Sequence, residues 1–198
     1  MSALVLASKS AARAAMLQAA GITVALAPAD IDERAFDEAW SREGRGPDVV
    51  ARLLAEEKAR AVSRTHPGAV VIGADQTLAL GPRRFSKPAD VAEARANLAT
   101  LRGKTHHLHS GVALVRDGET LFATVSSAAM TMRAFSDAFL DAYIEHQGGR
   151  VLSSVGCYQL EGEGIQLFER IDGDYFTILG MPLLPLLSAL RHHGLVAS

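Results

Sequence analysis

The chain has 198 residues, is 48% hydrophobic, and carries 20 basic against 22 acidic residues. That is enough apolar chain to bury a core, which excludes a disordered protein and leads us to expect a single domain over residues 1–198, either one large domain or one domain with a subdomain. The near balance of charge lacks the electrostatic footprint of a general nucleic-acid binder, and the apolar runs are too short to span a bilayer. The first residues show no charged segment followed by a secretory apolar core, so the expected location is cytoplasmic. Cys157 is the only cysteine, which removes internal disulfides and Cys-x-x-Cys zinc sites and leaves a small apolar packing residue.

In chain order, an apolar strand at about 3–7 runs into Ser8-Lys9-Ser10 and a helix at about 9–20, ended by Gly21. A short strand at 22–27 completes a β-α-β start, and Asp30, Asp32 and Glu33 form an acidic loop. Helices are expected at 34–43 and 48–64, separated by Gly44-Arg45-Gly46-Pro47. Residues 69–80 read as a buried strand, with a turn at Gly81-Pro82 and Lys87-Pro88 beyond it. A helix at 90–101 places Ala92, Ala96 and Leu98-Ala99 on its apolar stripe. Two β-rich runs from 105 to 133 flank Asp117-Gly118, the signature of a tight hairpin. His106, His107 and His109 fall on the first of these runs, and their spacing suits solvated strand histidines better than a metal site. A helix at 137–147 ends at Gly148-Gly149, short strands bracket the glycine-rich stretch 156–164, a last strand covers 175–179, and a Leu-rich helix covers 183–192. Parallel and antiparallel pairing together predict an α/β fold with a mixed, twisted sheet flanked by helices.

The chemistry-bearing residues gather at the ends of these elements. Ser8, Ser10 and Arg13 stand at a strand-to-helix start, where unpaired backbone N–H groups and the helix dipole favour an anion and Arg13 adds a guanidinium fork. Asp75 and Gln76 end the apolar run Val71-Ile72-Gly73-Ala74, and a carboxylate in such a strand must be paired, neutralised or functional. Glu33, Lys58, Lys87 and Glu161 complete a mixture of carboxylates and cations that suits a metal-bound polyphosphate, because Mg²⁺ takes one or two carboxylates plus phosphate oxygens. The chain has no P-loop, no Gly-x-Ser-x-Gly elbow and no Gly-x-Gly-x-x-Gly after its first strand.

Taken in order, Leu6-Ala7-Ser8-Lys9-Ser10-x-x-Arg13, Lys58-Ala59, Gly73-Ala74-Asp75-Gln76, Lys87-Pro88, Leu101-Arg102-Gly103-Lys104-Thr105-His106 and Gly180-Met181-Pro182-Leu183 resemble the Maf family of nucleotide pyrophosphatases over nearly the whole chain. The resemblance implies an inosine-triphosphate-pyrophosphatase-like fold with two lobes around a nucleotide cleft. It also implies hydrolysis of a nucleoside triphosphate to the monophosphate and pyrophosphate with a divalent cation, Mg²⁺ or Mn²⁺. By position Asp75 would be the proton acceptor, Glu33 and Asp75 the metal partners, and Ser8, Ser10, Arg13, Lys58 and Lys87 the substrate-binding residues. Gln76 and Glu161 resemble the branch that prefers 7-methyl-GTP. Ala11 and Ala12 depart from the usual proline and large side chain, so Ala12 leaves open the place of a base-stacking residue. A 7-methyl-GTP-specific pyrophosphatase of the same family is one alternative; the family is also associated with arrest of septum formation, which makes a regulatory binding protein the other, and a homodimer is a further expectation.

Overall fold

The computed structural model describes residues 3–197. Among these residues seven strands form one mixed sheet: β1 (Leu4–Leu6), β2 (Ala25–Leu26), β3 (Val70–Leu80), β4 (Arg83–Phe85), β5 (Thr105–Arg116), β6 (Glu119–Met132) and β7 (Phe168–Asp172). Their order is β2-β1-β3-β5-β6-β7, with β4 paired to β3. The helices are α1 (Ala11–Ala19), α2 (Glu33–Arg42), α3 (Pro47–Ser63), α4 (Val91–Leu101), α5 (Asp137–Gln147), α6 (Tyr175–Ile178) and α7 (Leu183–His192). The chain divides into two compact units. The first comprises Met1–Gln76, His109–Ser126 and Asp174–Ser198, and the second Thr77–Leu108 and Ser127–Gly173.

In the first unit β1 lies between β2 and β3 and is parallel to both. Its uninterrupted apolar sequence follows from burial on two faces. Leu6, Ile72 and Ala74 face a cluster built with Met16 and Leu17 of α1 and Leu183, Leu186 and Leu190 of α7. Val5 and Val71 face the opposite cluster, with Ala59 and Val62 of α3. Capping follows the local sequence. The side chains of Ser10 and Asp32 accept from the backbone N–H three residues on, at the starts of α1 and α2.

In the second unit β4 pairs antiparallel with the end of β3, Leu78 opposite Phe85. β7 pairs antiparallel with β6, with a register shift at Thr131/Met132. The side chains of Asp90 and Ser136 cap α4 and α5 in the same way as those of the first unit. Arg95 of α4 is hydrogen bonded to Asp141 of α5 at 2.7 Å.

Several expectations are corrected. Residues 175–178 are helical, not a strand. The run Tyr-Phe-Thr-Ile has strand composition, but Asp174 accepts from both the backbone N–H and the hydroxyl of Thr177 and caps a helical turn. Ahead of the stretch 156–164 the chain makes a 3-10 turn at Gly148–Leu152, where Gly148 has φ 52°, so only the downstream bracket, β7, is a strand. β4 was hidden by its proximity to Gly81-Pro82. The buried line of α4 is Ala94, Asn97, Leu98 and Leu101, a rotation of the expected stripe that leaves Ala92 and Ala96 exposed. His106 is fully buried, not solvated, and shares a 2.7 Å hydrogen bond between Nε2 and the hydroxyl of Tyr158.

Candidate active site

The backbone brings the charged residues of the first unit together through two strand glycines. α3 carries Ala51, Ala55 and Ala59 at four-residue spacing, a single line on a helix. A Cβ on Gly73 of β3 would run into the Ala55 carbonyl and meet Ala59 at 2.9 Å, and one on Gly111 of β5 would run into the Ala51 carbonyl. Alanines against glycines therefore let the helix backbone rest directly on the strands. That close approach delivers Lys58 to Asp75.

Lys58 Nζ donates to Asp75 Oδ1 at 2.6 Å and lies 2.9 Å from Glu33 Oε2. The Lys58 and Asp75 side chains are 9% and 10% exposed, whereas that of Glu33, the first residue of α2, is 53% exposed. One ammonium thus bridges a buried and a solvent-facing carboxylate. Burial pushes the Asp75 carboxyl above its usual range, although Lys58 and Arg13 act in the opposite direction. A carboxylate made more basic in this way is a better proton acceptor.

Arg13 projects from the first turn of α1. Its Nη1 donates to the Ala74 carbonyl at 2.8 Å and to Ser8 Oγ at 3.2 Å, and its Nε donates to the Gly180 carbonyl at 2.9 Å. Burial lowers its pKa, with Asp75 and then Glu33 acting to raise it. Ser8 Oγ also accepts from the Ser10 N–H, and Ser10 Oγ accepts from the Arg13 N–H. Gln76 points its amide nitrogen at Ser110 Oγ, the Thr177 carbonyl and the Ile178 carbonyl, all within 3.0 to 3.1 Å.

The first unit therefore assembles Ser8, Ser10, Arg13, Glu33, Lys58, Asp75 and Gln76. Ala12 is half-buried on the first turn of α1. Lys87, beyond β4, and Glu161, in the turn before Glu163–Leu167, are exposed residues of the second unit. Sequence reading missed Ser110, Asp174, Thr177 and the Gly180 carbonyl. The only local signal was Gly180-Met181-Pro182, in which Gly180 has φ 101° and Pro182 precedes α7.

A sequence model of the family described as Maf-like protein matches residues 3–193. The chain belongs to the Maf-like protein family. Among relatives outside this chain, a 7-methyl-GTP pyrophosphatase of Brucella abortus is 57% identical over 95% of this chain and 94% of its own length. A nucleoside triphosphate pyrophosphatase of Rhodopseudomonas palustris is 55% identical over 98% of this chain and 95% of its own. Among solved structures, a nucleoside-triphosphatase described as a dITP/XTP pyrophosphatase from Mycobacterium abscessus aligns with a TM-score of 0.43 at 15% identity, covering 97% of this chain and 95% of that one. A HAM1 protein from Coxiella burnetii aligns with a TM-score of 0.42 at 18% identity, covering 68% and 75%. The Maf motifs read from the sequence thus belong to a match that spans both units.

Proposed function

We propose that this Maf-like chain is a nucleoside triphosphate pyrophosphatase, acting as one domain in the cytoplasm. Water attacks the α-phosphorus, a new P–O bond forms, the α–β anhydride bond breaks, and pyrophosphate leaves. Asp75 takes the proton from the attacking water. The observation that carries this reading is the buried Asp75 carboxylate, raised in pKa by burial and held by Lys58 at 2.6 Å, in a chain so similar to proteins named for that activity.

The other roles follow from charge. Ser8, Ser10, Arg13 and Lys58 of the first unit donate to phosphate oxygens. Because Nε and Nη1 of Arg13 are held by the protein, its phosphate contact falls to Nη2. Such positioning and neutralisation supply most of the catalysis in phosphoryl chemistry.

The carboxylates fit a hard divalent cation. Asp75 and Glu33 both reach one positive centre, the Lys58 ammonium, and no group of three or more His, Cys, Asp or Glu side chains suited to a metal occurs among the described residues. That donor set matches Mg²⁺ or Mn²⁺, which complete their shell with water and substrate phosphates, and not a closed zinc site. Bound by Asp75 and Glu33, the cation would neutralise phosphate charge.

Ala12 and Gln76 of the first unit and Glu161 of the second are the candidates for base choice. The names of several relatives favour 7-methyl-GTP, and a carboxylate acceptor at 161 suits a purine amino edge. Incubation with Mg²⁺ and a panel of GTP, 7-methyl-GTP, UTP and dTTP tests the proposal. Release of pyrophosphate with monophosphate is expected. Release of orthophosphate, or no turnover of any triphosphate, would refute it.

A further inference from the structure

Two positively charged side chains stand beside Asp75, and they are held in different ways. Arg13 is fastened to the backbone: its guanidinium donates to the Ala74 and Gly180 carbonyls as well as to Ser8 Oγ. Lys58 has only carboxylates as partners among the described residues, Asp75 Oδ1 at 2.6 Å and Glu33 Oε2 at 2.9 Å. A planar guanidinium with three fixed acceptors keeps its place, whereas an ammonium on a four-carbon stem can turn to a new acceptor without breaking a backbone contact. The two carboxylates come from different elements. Asp75 is buried on β3, while Glu33 opens α2, a helix with no buried residue. The Lys58 ammonium is the charge that joins them.

We infer that Lys58 is a resident counter-ion for Asp75 and Glu33: in the cation-free protein it stands in for the divalent cation, and it leaves the carboxylates for phosphate oxygens when cation and substrate arrive. The inference rests on the proposed cation site of Asp75 and Glu33. Two carboxylates facing one site repel each other unless positive charge lies between them. Lys58 supplies that charge, so the donor set is assembled before any metal is present. The same ammonium then opposes the metal, because a positive charge beside both ligands repels a divalent ion across a partly buried, weakly screened gap. A polyphosphate resolves the conflict by bringing new acceptors for the ammonium. Arg13, pinned by its three acceptors, has no such freedom.

The test is the Mn²⁺ affinity of the nucleotide-free protein, read from the electron paramagnetic resonance of free Mn²⁺. Lys58→Met should bind Mn²⁺ roughly tenfold more tightly than the parent, even though it loses a phosphate donor and hence activity. Lys58→Gln, which keeps a polar side chain in case the first variant folds poorly, should shift affinity in the same direction. Adding Glu33→Gln to Lys58→Met should remove the gain, which ties the bound ion to these carboxylates. Unchanged or weaker Mn²⁺ binding in either folded Lys58 variant would overturn the inference, and so would a gain that survives Glu33→Gln. If the parent hydrolysed no triphosphate, the pyrophosphatase reading alone would fail, and the Mn²⁺ titrations would still decide the role of Lys58.

Discussion

In the first unit Asp75, Lys58 and Arg13 remain adjacent opposite charges with little access to solvent. In the second, His106, Tyr158 and Cys157 are buried as neutral groups. Burial lowers His106 to about 4 and raises the Cys157 thiol to about 11, and it raises the Tyr158 hydroxyl as well. Neutralising a buried group is the cheaper response to lost solvent, because a charge moved from water must be repaid by close partners. The chain thus keeps charge at the Asp75 site and neutral groups around His106. Histidine and tyrosine are residues usually suspected of chemistry, yet here His106 and Tyr158 pack against Phe168 in an aromatic core.

The contrast can be broken most severely at its centre. Asp75→Asn preserves shape and removes the charge, and should lower kcat by roughly 10²-fold or more while leaving the melting temperature within a few degrees. A kcat near that of the parent would make Asp75 a structural ion.

The second unit responds to pH instead. His106 has a folded pKa of about 4 against 6.5 for the free side chain. Below pH 6.5 the unfolded chain binds a proton that the native chain refuses until about pH 4, so stability is lost as pH falls through that window, by about 3 kcal/mol in all. Urea denaturation at pH 7 and pH 4.5 should show the drop, and His106→Gln should remove most of it. Equal acid sensitivity in the variant would show that His106 is charged in the fold.

Lys58→Met removes the ammonium that bridges Asp75 and Glu33, and should cost about 2 kcal/mol in denaturant stability along with most activity. This is less than for a fully enclosed pair, because the Glu33 end faces water. No loss of stability would mean that Asp75 is protonated in the resting protein. The smallest change is Tyr158→Phe, which strips His106 Nε2 of its partner. It should cost about 1 kcal/mol and leave kcat untouched. A fall in kcat would tie the second cluster to catalysis and erase the contrast.

What the sequence disclosed is local. Ser10 three residues before Arg13, Asp117-Gly118 between two β runs, and the Leu-rich stretch 183–192 each contain their own cap, turn or stripe, and each folds as read. Asp75 was legible for a similar reason: an acid in an apolar strand stands out against its neighbours. The failures share a long-range cause. Tyr175–Ile178 has the composition of a strand and is turned into helix by Asp174. His106 has nothing in its vicinity to announce Tyr158, 52 residues away. Gln76 finds its carbonyls 101 and 102 residues downstream, and no spacing rule reaches that far.

Arg13 and the Gly180 carbonyl are 167 residues apart, and this separation has a consequence for the protein during its synthesis. The charged side chains around Asp75, those of Arg13, Glu33 and Lys58, are all translated by Gln76. The turn that fastens Arg13 and Gln76 emerges only with the last fifth of the chain. A nascent polypeptide halted after β6 would hold Lys58, Asp75 and Arg13 without the carbonyls that aim Arg13 and Gln76. A chain that stops before residue 174 lacks the Thr177, Ile178 and Gly180 carbonyls on which Gln76 and Arg13 close.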